Sequence, residues 1–194
     1  MDKKKIWEAG RFPNKYKSYT VDSLKNEGSE HVKYYIANMK DYIAKGKGLW
    51  IKGPTGVGKT TAAIVMGMES WATYGKPSLF VTYEQIKEET GKSFQGKEDP
   101  DFFKRLKNWP HLIIDNISSS IMQDKIFGLK KLESLIRERN NNLLITSMTG
   151  SWKKGEIGPE NKDDVELLVD TGKSCFVSVV LDGQNLRDLE EEKF

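Results

Sequence analysis

Gly53-Pro-Thr-Gly-Val-Gly-Lys-Thr60 satisfies the pattern G-x-x-x-x-G-K-[ST] in full. Glycine backbones enter conformations closed to other residues, so successive N–H groups of such a turn can converge on phosphate oxygens. Lys59 is placed to reach the β- and γ-phosphates of a nucleotide, and the Thr60 hydroxyl to ligate Mg²⁺. A segment of helical pattern follows, and its N-terminus adds positive potential at the same point. At ordinary residue usage the four fixed positions coincide by chance in roughly one chain of this length in a hundred. Here they also stand between a predicted strand, Leu49-Trp50-Ile51, and a predicted helix from Lys59 to Thr73, which is the context the chemistry requires. Nucleotide binding is therefore expected from Gly53, Pro54, Thr55, Gly56, Val57, Gly58, Lys59, Thr60 and Thr61.

Outward from this turn, strands and helices alternate. Toward the N-terminus, Val32, Tyr35, Ile36, Met39 and Ile43 recur at helical spacing and predict a helix from Ser29 to Lys45. Residues 1–28 read as a basic, irregular arm with Pro13, Asn14, Asn26 and Gly28 as breakers. Toward the C-terminus, apolar and β-branched runs predict strands at Ser78 to Thr82, His111 to Asp115, Leu143 to Ser147 and Cys175 to Leu181. Residues 83–109 are polar and predict two short helices around the loop Gly91 to Lys97. Ser120 and Gln123 have capping-box spacing ahead of a helix with the stripe Met122, Ile126, Leu129, Leu132 and Ile136. A short helix is expected near Asp163 to Val169. Strands that read as continuous apolar runs, separated by helices, indicate a parallel sheet covered on both faces. The expected fold is α/β, with five parallel strands flanked by helices.

A phosphate-binding turn used for catalysis needs a second carboxylate, on a neighbouring strand, to organise Mg²⁺. Asp115 ends the apolar run His111-Leu-Ile-Ile, at the edge where ligands of parallel sheets bind. The alternative is an acid that only caps the turn after a strand. The order of strands leaves room for one inserted between turn and acid, as in the ATPase branch that includes AAA+ and RecA-like proteins. That branch usually carries a second acid directly afterwards, to polarise the attacking water. Asn116 stands there instead; it can hold a water by hydrogen bonds but is no base. Slow hydrolysis is the expectation.

The 194 residues, 37% hydrophobic and 30% charged, suffice for one domain with a sizeable core and are too aromatic and evenly mixed for a disordered chain. No apolar run approaches the roughly 20 residues of a membrane span. The basic start Met1-Asp-Lys-Lys-Lys lacks an apolar signal core, and the single cysteine, Cys175, cannot form an internal disulfide. A cytoplasmic protein is expected, with no membrane partner. Residues 1–47 hold eleven Lys or Arg against six Asp or Glu, whereas residues 182–194 hold two against five. These are either solvated ends or, for the basic end, a surface for a nucleic acid backbone. Lys92, Phe94 and Lys97, with Phe102, Phe103, Lys104, Arg105 and Lys107, interleave basic and aromatic residues as single-strand binders do. The competing reading is an amphipathic helix that buries Phe103 and Leu106. Trp152-Lys153-Lys154 is a weaker candidate of the same kind. His31 and His111 are assigned to packing or a hydrogen bond, since no metal-ligand spacing accompanies them.

Several pieces, in order, resemble the DnaC-type bacterial helicase loaders and the related IstB-type transposition ATPases. They are Phe12-Pro13-x-x-Tyr16, Gly48 through Thr60, Leu112-Ile-Ile-Asp115, Ile136-Arg-Glu-Arg139 followed by Leu143-Leu-Ile-Thr-Ser147, and Gly183-Gln-Asn-Leu-Arg187. The resemblance implies an AAA+ P-loop ATPase core over residues 29–188, without a separate helical lid, and an acidic tail at 189–194. It implies ATP and Mg²⁺ as ligands, with Thr60 and Asp115 at the metal. A replicative DNA helicase and single-stranded DNA are the implied partners, and a nucleotide-dependent homo-oligomer is compatible with it. Lys59, Asp115, Asn116 and Arg187 take the catalytic positions, Arg187 as the arginine that approaches the γ-phosphate. Two further departures accompany Asn116. Met148 stands where a polar residue is usual on the fourth strand, with Ser147 or Thr146 as substitutes. Asp170-Thr-Gly-Lys-Ser174 offers only Lys173 where an arginine normally reaches a neighbouring subunit. Three losses beside an intact binding turn point to ATP used mainly as a ligand. The alternatives are a nucleotide-gated regulatory protein with negligible hydrolysis and a small viral DNA-packaging or transposition ATPase.

Overall fold

The computed structural model describes residues 3–93, 95–97, 99–118, 127–151 and 162–183. Five parallel strands form one sheet: β1 (Gly48–Lys52), β2 (Ser78–Thr82), β3 (His111–Ser118), β4 (Ile145–Ser151) and β5 (Phe176–Val180). Their spatial order is β2-β3-β4-β1-β5, so β4 is the strand inserted between β1 and β3. The fold is α/β, as the alternation of apolar runs and helices indicates.

Successive side chains of a strand face opposite ways, and the sequence supplies apolar residues to both faces. Leu49, Ile51, Phe80 and Ile113 lie in one cluster with α1 (Lys3–Ala9), α2 (Ser29–Ala37), α3 (Met39–Ala44) and the long α4 (Lys59–Tyr74). Trp50, Leu79, Val81, Leu112, Ile114 and Met148 face the other way. There they meet α5 (Tyr83–Ser93), α6 (Phe102–Asn108), α7 (Phe127–Asn141) and α8 (Lys162–Cys175). Leu132 and Ile136 of the predicted stripe are buried in α7. Ser120, Met122, Gln123, Ile126 and the side chain of Leu129 lie outside the described residues. Among the described residues no helix is long and apolar enough to cross a membrane.

Several boundaries differ from the sequence reading, each for a local reason. The 29–45 helix is two, α2 and α3, because the Asn38 side chain donates to the Tyr34 carbonyl (2.8 Å) and ends the first. Residues 1–28 are not irregular throughout. Residues 3–9 are helical, Ile6, Trp7 and Phe12 are buried, and the Phe80 N–H donates to Gly10 O (2.8 Å) at the β2 edge. Three apolar anchors were too few to show a period. β4 starts at Ile145 because Leu143 is exposed with φ +53, and the Leu144 N–H closes α7 on Arg139 O. Both β3 and β4 run past the predicted ends, and residues 170–175 belong to α8.

Two polar side chains tie the layers together inside the core. Arg139, fully buried, donates to the carbonyls of Leu106, Trp109 and Ile145 and to the Thr146 hydroxyl. Burial lowers its pKa to about 9. His111, also fully buried, sits between Ser78 Oγ (3.1 Å from Nδ1) and Ser147 Oγ (3.0 Å from Nε2). The single Ser78 hydroxyl proton goes to Gly67 O (2.8 Å), so Ser78 accepts from Nδ1–H and Ser147 donates to Nε2. The hydrogen bond expected of His111 is thus present, whereas His31 is exposed.

Burial, and then the Arg139 charge, pull the His111 pKa from 6.5 down to about 3. The unfolded chain takes up this proton below about pH 6.5 and the native chain does not, so stability falls as pH drops through that range. We predict a loss of about 1 kcal/mol between pH 7 and 5.5. His111→Gln, which retains a donor and an acceptor, removes that fall. Urea midpoints at the two pH values measure it; parallel shifts in both proteins contradict it.

Candidate functional site

The Gly53–Thr60 turn leaves β1 and feeds α4 at the C-terminal edge of the sheet. Gly53 takes φ +144, and a Cβ there would stand 2.0 Å from Leu181 O, so no other residue fits. Gly56 (φ +90) and Gly58 (φ +85) turn the loop around the N-terminus of α4. Lys59 folds back over the loop, its Nζ donating to Gly53 O (2.8 Å) and Pro54 O. An ammonium held by loop carbonyls can exchange them for phosphate oxygens.

Across the cleft, the Thr60 hydroxyl reaches both Asp115 oxygens, 2.9 Å to Oδ1 and 3.1 Å to Oδ2. Asp115 is only 7% exposed. Burial raises its pKa, and the Thr149 and Thr60 hydroxyls and the Lys59 charge oppose that rise. A hydroxyl and a carboxylate this close are the hard oxygen pair that Mg²⁺ takes alongside phosphate oxygens and water. The residues present therefore fit a Mg²⁺-nucleotide.

The acid sits at a β-bulge. Ile114 is opposite Met148 and Ile117 opposite Gly150, so β3 carries one more residue than β4 between these pairs. Asn116 takes φ +64, a left-handed conformation that asparagine tolerates better than most residues. Its N–H donates to Thr149 Oγ1 (3.0 Å), and that hydroxyl donates to Asp115 Oδ1 (2.6 Å). A threonine hydroxyl has one proton, and here the acid takes it.

Thr149 is the polar residue that the sequence reading missed. Met148 is fully buried on the opposite face of β4. Ser147 and Thr146 do not substitute for it, being occupied with His111 and the Leu49 N–H and with Arg139 respectively. Counting two residues on from Ser147 along an extended strand finds Thr149.

A cleft of about 210 Å³ joins these groups, lined also by Lys15, Tyr16, Tyr19 and Ser151. Tyr16 carried part of the resemblance; Lys15 and Tyr19 had no sequence signal. Lys173 is exposed at the end of α8 and paired with Asp170 (2.6 Å). Arg187, Trp152, Lys153, Lys154 and Phe94 lie outside the described residues. The basic–aromatic stretch is largely committed to the fold. Phe102 is buried, Phe103 is half-buried under Lys131 Nζ (4.7 Å), and Lys92, Arg105 and Lys107 pair with Glu89, Asp99 and Glu138. The amphipathic-helix alternative is the one observed: Leu106 is buried and Phe103 packs partly buried against the same cluster.

No family model and no curated protein matches the chain. Solved structures do. The DnaC helicase loader superposes with a TM-score of 0.71 at 20% identity, over 88% of this chain and 100% of that one. DnaI gives 0.71 at 16%, over 90% and 93%. AMPPCP-bound DnaA from Aquifex aeolicus gives 0.63 at 16%, over 90% of this chain and 54% of that one. At such identities the likeness establishes architecture, and the architecture is that of an AAA+ P-loop NTPase domain.

Proposed function

We propose that this protein is an ATP- and Mg²⁺-binding AAA+ factor of DNA replication that acts in the manner of a helicase loader. In this reading it engages a replicative DNA helicase, single-stranded DNA or both, and turns ATP over slowly. The observation that carries the nucleotide part is the Lys59, Thr60 and Asp115 cluster at the mouth of the glycine turn. The likeness to the DnaC loader, DnaI and DnaA supports the replication part.

Bound Mg²⁺-ATP supplies the phosphoanhydride and the charge neutralisation. Lys59 would exchange Gly53 O and Pro54 O for phosphate, and the Thr60 hydroxyl and Asp115 would hold the metal. The Thr149 hydroxyl opposes the rise that burial imposes on the Asp115 pKa and so favours its ionised form. Asn116 lines the cleft where a water must be activated and can orient that water without accepting its proton. This favours the second reading as well, a nucleotide-gated regulator with negligible hydrolysis. A helicase pull-down, turnover with and without single-stranded DNA, and mass in solution with and without ATP separate the two. DNA-stimulated turnover and helicase capture support the loader; tight binding without turnover or capture supports the regulator.

Two outcomes are expected at the site itself. Wild-type turnover stays well below about 1 per second, and Asn116→Asp, which tolerates the same backbone and adds a base, raises it about tenfold or more. An unchanged rate in single-turnover assays rules against a missing base as the block. Thr149→Val removes one of the hydrogen bonds that favour the ionised form of Asp115 and so raises its pKa further. Mg²⁺-dependent ATP affinity should fall about tenfold, one hydrogen bond to a charged group. The deficit should widen as pH drops from 8 to 6, because protonated Asp115 cannot serve the metal. Titration with labelled ATP at both pH values reads it, and a pH-independent deficit contradicts it.

A further inference from the structure

We propose that Asn26, outside the glycine turn, is a positioning residue that holds the Gly58 N–H inward for phosphate; the inference rests on the nucleotide-binding reading above. The Asn26 side-chain amide donates to Val57 O at 3.0 Å. Val57 O and the Gly58 N–H belong to one peptide unit, which is planar and trans, so the two groups point in opposite directions. A donor that fixes the carbonyl on the outer side of the loop thereby aims the N–H at its centre.

The clamp is needed because of the residues on either side. Gly56 and Gly58 both have positive φ, and glycine crosses between the two signs of φ at little cost. The Val57–Gly58 peptide could otherwise flip and present its carbonyl, a repulsive group, to an anion. Val57 itself is anchored, its side chain 2% exposed among α2 and α4 residues. The peptide plane beyond it is held on its outer side by Asn26.

Asn26 is referenced to the sheet rather than to a free loop. Its own carbonyl accepts the Ser29 N–H (2.9 Å) at the start of α2, and the Asp182 N–H donates to Glu27 O (3.1 Å) just past β5. Gly28 takes φ +82, and a Cβ there would stand 2.1 Å from Val180 O, so residues 26–28 lie directly on the end of β5. Strand β5 pairs with β1, from which the turn springs. The donor is thus held in the same frame as the loop it clamps.

The test uses the full chain with Asn26→Ala and the isosteric Asn26→Asp, which cannot donate to a carbonyl when ionised. Lys59→Ala serves as the non-binding control. Dissociation constants of fluorescent ATP and ADP with Mg²⁺ are measured alongside the melting temperature of the nucleotide-free proteins. Both Asn26 variants should bind ATP and ADP about tenfold more weakly, equally for the two nucleotides, with nucleotide-free melting within a few degrees of wild type. Binding within twofold of wild type overturns the clamp, as does a melting temperature that falls in step with affinity, which marks a merely structural contact. A wild-type protein that binds neither nucleotide overturns the nucleotide reading itself, a result distinct from either.

Discussion

Insertion of β4 between β1 and β3 sets the distance on which the rest of the site depends. Adjacent strands lie about 4.8 Å apart, so the strand that ends in the glycine turn and the strand that ends in Asp115 stand roughly 10 Å apart at the sheet edge. That gap is crossed by the first turn of α4, which puts the Thr60 hydroxyl on the carboxylate. The inserted strand contributes Thr149 at the middle of the gap. Three elements that are far apart in sequence therefore converge on one acid, and neither the turn nor the acid alone would define the cleft.

The core behind this edge is built to keep the strands in register. His111, Ser147 and the Leu49 N–H form a hydrogen-bonded chain across β3, β4 and β1, with Ser78 extending it to β2 and Gly67 of α4. Such groups cost free energy if left unpaired in an apolar interior, so each supports one register over its neighbours. Arg139 acts likewise on the other face, binding α7 to the ends of α6 and β4 through carbonyls. Its contacts are carbonyls and the Thr146 hydroxyl, and burial lowers its pKa. The bulge at residues 115–116 is the one place where β3 and β4 fall out of step, and it lies at the edge that carries the glycine turn.

That location gives Asn116 two functions at once. It accepts the left-handed backbone that the bulge imposes, and it brings an amide instead of a carboxylate to the cleft. The loop geometry, supported from outside by residues 26–28, serves binding whether or not hydrolysis follows.

Residues 53–60 by themselves determined the strand-turn-helix around them and carried the expectation of a phosphate ligand, because phosphate binding needs glycine, lysine and hydroxyl at set spacing along one continuous segment. The apolar runs at 49–51, 78–82 and 111–115 likewise declared a buried parallel sheet, since a strand covered on both faces has no polar side to show. What lay across elements was not written in any one segment. Thr149 was hidden because the polar partner of Asp115 depends on where β4 ends and on a bulge in β3. The 1–28 segment looked irregular because its anchors, Ile6, Trp7 and Phe12, find their apolar surroundings only on α4 and β2. Phe102 and Phe103 resembled a stacking platform until α7 and the sheet were seen to cover them. Local chemistry is legible along the chain; which side chains are left facing the cleft is decided by packing, because burial is a property of neighbours that the chain brings together only when it folds.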